Sequence, residues 1–134
     1  MPDIVISEFM DQEAVDRTAV DYDVHYDPEL VEKEAELKRL LSDARALVVR
    51  DRTQVDAALL DAAPKLCVVG RLGVGLDNID TAECEKRGIT VCPATGANDD
   101  SVAEWVITAV MTLLRGAFVF CSESRMAYST HDLF

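Results

Sequence analysis

The sequence predicts an α/β fold with a parallel sheet, and three observations lead there. Short apolar stretches recur at 3–7, 22–26, 46–50, 66–69 and 89–92, each the length of a strand. Helix-compatible segments with start and stop signals separate them. The central run ALVVR is apolar without alternation, as in strands of a sheet covered on both faces. Strands alternating with helices build a doubly wound, all-parallel sheet with helices on both faces. The expected topology is flavodoxin-like, strand order 2-1-3-4-5, with ligands at the carboxyl ends of the strands and a long helix closing the series.

The elements follow in order. Asp3 to Ser7 reads as the first strand, and Asp11 to Thr18 as a helix with Asp11 as N-cap. Tyr22 to Tyr26 alternates polar and apolar residues, which suits an edge strand exposed on one side. Asp27-Pro28 opens a helix that is expected to run unbroken to about Leu41. Proline fits its first position because the missing N–H is not needed there. Leu30, Leu37, Leu40 and Leu41 form its apolar stripe. Ala46 to Arg50 is the third strand. Val55 to Ala63 is a helix ended by Pro64, and Leu66 to Val69 is the fourth strand. Asp80 to Arg87 is a helix with Gly88 as C-cap, and Ile89 to Cys92 is the fifth strand. Ser101 and Glu104 have capping-box spacing and are expected to start the long helix, which runs to about Glu123.

The composition excludes several function classes. The formal charge is −12, from 25 acidic against 13 basic residues. Such a balance argues against nucleic acid and anionic membranes, whose phosphates need clustered Lys and Arg. The four cysteines, Cys67, Cys84, Cys92 and Cys121, show no C-x-x-C pair. Cys67 and Cys92 are expected in buried strands as small apolar residues, and no metal site is expected. Unpaired thiols and the absence of a signal-like N-terminus suggest a cytoplasmic protein. The stretch from Val102 to Cys121 has the length of a membrane span, but Glu104 and Arg115 inside it favour a core or hinge helix. His25 reads as a solvated histidine on the edge strand, and His131 lies in a tail without catalytic partners.

The glycine loop after the fourth strand is the centre of any chemistry. Gly70, Gly73 and Gly75 run G-x-x-G-x-G, which is not the dinucleotide fingerprint. Counted from Gly73, Asn78 stands where the third glycine would let a helix pack close to its strand. Backbone N–H groups around Gly73-Val74-Gly75 can instead hold a carboxylate, or the glycines can simply serve a tight turn. Arg50 ends the third strand on the ligand edge. Its planar fork suits a phosphate or sulfonate, although it could equally pair with Asp51 or Asp56. Arg71 is expected to brace the loop through Asp77 or Asp80.

Arg71-Leu72-Gly73-Val74-Gly75-Leu76-Asp77-Asn78-Ile79-Asp80, then Lys86-Arg87-Gly88-Ile89-Thr90-Val91, then Ser101-Val102-Ala103-Glu104 resemble the D-2-hydroxyacid dehydrogenase family in order and spacing. The resemblance is clearest from about Ala46 to about Gly116. The Gly96-x-Asn98-x-x-Ser101-Val102-Ala103-Glu104 version resembles its phosphoglycerate and sulfolactate dehydrogenase branch. The resemblance implies that Gly73, Val74 and Gly75 bind the substrate carboxylate, that Arg50 contacts a distal anion, that Val74 touches the NAD nicotinamide, and that Asn98 and Val102 are cofactor-binding candidates facing an interdomain cleft. It implies a substrate-binding domain at 1–100, a hinge helix at 101–123 and an unmatched tail at 124–134. The family's catalytic Arg, Glu and His, and its nucleotide fingerprint, would lie beyond Phe134.

The expected function is therefore the substrate-binding part of an NAD-dependent dehydrogenase of a 2-hydroxy or 2-oxo acid, inactive as this chain alone. A homo-oligomer through the apolar hinge helix is expected. One alternative is a non-catalytic, truncated paralogue that binds a small acid or has a regulatory role. Another is an independent flavodoxin-like domain with its own ligand, such as a flavin. No hydroxyl- and glycine-rich phosphate loop follows the first strand to support it.

Overall fold

The computed structural model describes residues 1–115. It contains one five-stranded, all-parallel sheet: β1 (Ile4–Ile6), β2 (Val24–Tyr26), β3 (Ala46–Val49), β4 (Val68–Arg71) and β5 (Thr90–Pro93). The order is β2-β1-β3-β4-β5, the doubly wound order expected from the sequence. The strand series reverses direction between β1 and β3. At such a switch point the loops leaving adjacent strands diverge and open a crevice.

The helices are α1 (Gln12–Thr18), α2 (Glu34–Leu41), α3 (Ala57–Asp61), α4 (Thr81–Lys86) and α5 (Asp99–Leu114). Asp11, Asp56 and Asp80 cap α1, α3 and α4, each accepting from an amide of the first turn. These three aspartates fix where the helices begin, because each satisfies a donor that has no partner within its helix. Gly88 follows α4 at φ +71°, a conformation that glycine adopts without strain.

The main core lies between the sheet and α2, α3 and α4. Val5, Leu47, Val49 and Val69 contribute from the strands, and Leu37, Leu41, Leu59 and Cys84 from the helices. The apolar stripe Leu30, Leu37, Leu40 and Leu41 is wholly buried.

Several elements differ from the sequence reading. The helix expected from Pro28 to Leu41 is broken. Leu30–Glu32 form a 3-10 turn, and α2 starts only after Lys33, whose φ −114° and ψ 59° are not helical. Lys33 reaches back to pair with Asp27, which also accepts from the Glu29 amide. β3 is not buried on both faces: Leu47 and Val49 are buried, whereas Ala46 and Val48 are half-buried. β4 begins two residues later than expected, so Cys67 precedes the strand and is exposed. Cys92 lies on β5 but is also exposed, and Cys84 on α4 is the buried thiol. His25 is less exposed than expected. It is half-buried on the edge strand, with Nε2 unpartnered among the described residues.

The chain divides into two compact units, Met1–Ala97 and one beginning at Asn98. The second contains α5, whose N-cap is Asn98 without a side-chain cap bond. The Ser101–Glu104 capping box does not form, because the helix starts at Asp99 and Ser101 is already inside it. Asp99 and Asp100 occupy the first turn, where negative charge suits the positive end of the helix. No helix among the described residues is long and apolar enough to cross a membrane. The expected continuation to Glu123, the tail 124–134, Cys121 and His131 lie outside the described residues.

Candidate functional site

Three loops at the carboxyl edge of the sheet converge in the first unit. They follow β1 (from Ser7), β3 (Arg50 to Gln54) and β4 (Leu72 to Asp80). Their sequences make them loops for different reasons. The first precedes an Asp-capped helix, the second carries charged and hydroxyl residues, and the third has two glycines and an Asx-rich turn.

The β4 loop turns at Gly73, which sits at φ +152°. A Cβ there would lie 1.7 Å from Arg71 Nη1, so the guanidinium occupies the space that the glycine leaves. Gly73 N–H donates back to Arg71 O at 2.8 Å. Ala94 N–H at the end of β5 donates to both Arg71 O and Gly73 O, at 3.0 Å each. The Arg71 and Gly73 carbonyls are thereby engaged. The amides of Val74 and Gly75 have no hydrogen-bond partner among the described residues, and both residues are exposed. Arg71 forms no bridge to Asp77 or Asp80, contrary to expectation. Its Nη1 donates to Leu72 O at 3.1 Å, and its buried Nε has no partner among the described residues.

The D-N-I-D segment ties this loop to the next. Asn78 is 7% exposed, and its Nδ2 donates to Thr53 O at 2.8 Å and Arg50 O at 3.3 Å. Val55 N–H donates to Asn78 O and Asp80 N–H to Val55 O, which makes a short parallel bridge between Val55 and Ile79. The position that a dinucleotide fingerprint reserves for a third glycine is therefore a buried clamp. Asp80 already caps the helix beyond it. This turn thus leaves two backbone donors, at Val74 and Gly75, without partners among the described residues, and it lacks the third glycine of a dinucleotide's pyrophosphate turn.

The β3 loop is held from its other side by Glu8, which the sequence reading did not single out. Glu8 is 3% exposed. Its Oε1 accepts from the amides of Arg50 (2.9 Å) and Thr53 (3.0 Å), and its Oε2 from those of Asp51 (3.2 Å) and Arg52 (3.0 Å). Burial pushes this carboxyl up. The backbone N–H bonds and the Thr53 hydroxyl more than reverse that and bring it down to about 2. Ser7 Oγ stands 2.9 Å from Thr53 Oγ1 and completes the attachment.

The side chains of the β3 loop then divide. Arg52 is taken by Glu32 at 2.8 Å, which holds the guanidinium above its usual range. Arg50 is exposed, and neither Asp51, Asp56 nor any other described carboxylate pairs with it. Arg50 borders a surface depression of about 200 Å³ lined by Glu8, Phe9, Pro28, Arg50, Asp51 and Arg52. The structure thus puts Arg50 and the Gly73–Gly75 loop on one edge of the same unit. Asn98 and Val102 belong to the second unit, where Val102 N–H donates to Asn98 O at 3.0 Å. Among the described residues no group of three or more His, Cys, Asp or Glu could hold a metal ion.

Fold and site together define a doubly wound α/β domain whose exposed loops present backbone amides and an arginine at the carboxyl edge. Residues 4–132 match the D-isomer specific 2-hydroxyacid dehydrogenase catalytic domain family, and the chain belongs to that family. It is 50% identical over 119 residues to the (S)-sulfolactate dehydrogenase of Chromohalobacter salexigens, covering 89% of this chain and 38% of that protein. It is 44% identical over 80 residues to the D-3-phosphoglycerate dehydrogenase of Archaeoglobus fulgidus, covering 60% of this chain and 15% of that one. Among solved structures it resembles the PH0520 protein of Pyrococcus horikoshii, with a TM-score of 0.80, 26% identity, and 95% of this chain and 38% of that chain covered. It also resembles the NAD+-bound 3-phosphoglycerate dehydrogenase of Entamoeba histolytica, with a TM-score of 0.65, 25% identity, and 86% and 40% covered. The family is NAD-dependent. The chain spans under half the length of these relatives.

Proposed function

We propose that this chain supplies the substrate-binding part of an NAD-dependent dehydrogenase acting on a 2-hydroxy or 2-oxo acid that bears a second, distal anion. The observation that carries the reading is the pair of unpartnered amides at Val74 and Gly75, on a loop tied through Asn78 to the loop of an unpaired Arg50. The amides take the acid's carboxylate, as two converging N–H dipoles do for an anion. Gly73 shapes the turn, and Arg50 takes a sulfonate or phosphate in a planar two-bond contact. The sulfolactate and phosphoglycerate dehydrogenases among the relatives favour such an acid.

NAD, when bound, exchanges the hydride with the substrate's C2. In this reading Val74 borders the nicotinamide, and Asn98 and Val102 at the start of α5 are further candidates for contact with the cofactor. In this reading residues 1–100 make the substrate domain, residues 101–123 the hinge segment, and residues 124–134 an unmatched tail. A cytoplasmic location belongs to this reading. The apolar hinge helix joins copies of the chain when nothing else covers it.

The 134 residues alone are expected to be inactive, because the glycine turn after β4 lacks the dinucleotide fingerprint. That same observation keeps a second reading, a non-catalytic small-acid binder. Titration of the isotope-labelled chain with sulfolactate and with lactate tests the binding reading. The Val74 and Gly75 amide resonances should move with both acids. Resonances that stay put with both would remove it.

A further inference from the structure

Doubly wound folds bind ligands in the crevice where the strand order reverses. Here the loops leaving β1 and β3 meet at that switch point, and a carboxylate of the chain itself, Glu8, joins them beside the depression that Arg50 borders. Four consecutive amides, Arg50 to Thr53, converge on the two oxygens of Glu8. Such an array is an anion nest. A carboxylate offers about four lone-pair positions, and four N–H donors use them all. Glu8 therefore has little acceptor capacity left to capture a neighbouring guanidinium, and no ion pair between Glu8 and Arg50 or Arg52 is formed among the described residues.

The consequence falls on Arg50. Its N–H is held by Glu8 at 2.9 Å, and its carbonyl receives Asn78 Nδ2 at 3.3 Å. Its peptide is fixed on both sides while its side chain stays unpaired. A guanidinium on a fixed backbone loses less freedom when it binds an anion. With the nest filled, backbone amides of this loop are not open to the ligand, so recognition of the distal anion rests on the side chain.

We propose that Glu8 is the positioning residue for Arg50, filling the amide nest of the Arg50–Thr53 loop so that the guanidinium is set for the substrate's distal anion. The inference rests on the proposed role of Arg50 and goes beyond it by naming what holds that arginine in place.

The test compares sulfolactate with lactate, which differ by the distal sulfonate, as ligands of the 134-residue chain and its Glu8→Gln and Arg50→Ala variants. Glutamine keeps the volume, but its amide nitrogen faces N–H donors and cannot accept from them. Arg50→Ala should reduce the preference for sulfolactate on the order of tenfold to a hundredfold, the loss of one charged contact. Glu8→Gln should reduce it about tenfold, with a smaller change in lactate affinity, since lactate has no distal anion for Arg50 to meet. A general loss of structure would weaken both acids together, and thermal melts run alongside would show it. If Arg50→Ala loses the preference and a folded Glu8→Gln keeps it, Glu8 is structural only and the proposal fails alone. If Arg50→Ala keeps the preference, or the parent binds neither acid, the reading of Arg50 fails and the proposal falls with it.

Should Glu8→Gln not fold, Glu8→Asp, one methylene shorter, takes its place in the same comparison. In the parent chain, the four amides from Arg50 to Thr53 should exchange with solvent at least about tenfold more slowly than the amides of Val74 and Gly75. Equal exchange in the two loops would mean that no clamp exists and would overturn the proposal without any variant.

Discussion

Asn78 donates from its side-chain amide to the backbone carbonyl of Thr53 at 2.8 Å, across 25 positions of sequence. This bond joins the loop that carries the glycines to the loop that carries Arg50. It is buried, so neither partner can exchange the other for water without cost.

Asn78→Ala should therefore destabilise the chain by about 1–3 kcal/mol, because the Thr53 carbonyl loses its buried donor. Urea unfolding reads this as a lower midpoint at constant slope. A loss under about 0.5 kcal/mol would mean that water replaces the asparagine and that the two loops are not coupled through it.

Glu8 gives the protein an acid limit. Its carboxyl is held at about 2, below the unfolded value near 4.3. A group depressed in the folded state adds stability that is fully present above the unfolded value. That stability is lost as pH falls through the window from about 4.3 towards 2. The contribution at neutral pH is roughly 3 kcal/mol. Unfolding free energy measured from pH 6 to pH 2 should fall across that window, and the Glu8→Gln variant should lack this component. Parallel curves for the two proteins would refute the assignment.

Gly73→Ala places a methyl group at φ +152° and against Arg71 Nη1. The strained backbone should cost about 1–3 kcal/mol, and the guanidinium must move as well. Affinity for lactate should fall alongside thermal stability, because the Val74 and Gly75 amides are re-aimed. Gly88→Ala is the control: it is also at positive φ, but a Cβ there meets nothing within 4 Å. It should cost stability without touching affinity. Loss of lactate binding in both variants would detach the effect from the loop.

None of the residues of α5 is buried among the described residues, and Trp105, Ile107, Leu113 and Leu114 are each more than 60% exposed. Apolar surface of this extent is seldom left to water. Sedimentation equilibrium at micromolar concentration should show self-association, and a Val106→Glu, Val110→Glu double variant should shift it towards monomer. A monomeric parent chain rules the association out.

The sulfolactate and phosphoglycerate relatives are dehydrogenases by name, and the 134-residue chain by itself is predicted to show no turnover. NADH oxidation with sulfopyruvate, hydroxypyruvate or glyoxylate should not exceed a heat-killed control. Turnover above it would show that the chain completes a nucleotide site.

The strand order, the Asp11 cap and the glycine loop could be read from local pattern, whereas the Asp56 cap came only from the structure. Apolar runs, cap residues and glycine spacing act within a few neighbours, so composition along the chain carries their information. The break at Lys33 could not be read this way, because an ion pair to Asp27 and the burial of Leu30 outweigh the helical pattern around them. The capping box at Ser101 misled for a related reason. The spacing was present, but the helix had already begun at Asp99. Glu8 was missed because an acidic residue after a strand looks like any surface charge. The one available hint was its position at the expected switch point.

What the sequence by itself determined was the kind of domain and the loops that could carry chemistry. Only the tertiary structure decided how those loops are held. Glu8 meets residues 42 to 45 positions away, and Asn78 meets residues 25 and 28 positions away. Such contacts depend on which strands become neighbours, and the sheet brings together loops that share no local pattern. The same geometry separates two arginines of one loop, leaving Arg52 bound to Glu32 and Arg50 exposed, a distinction that two like residues in sequence do not carry.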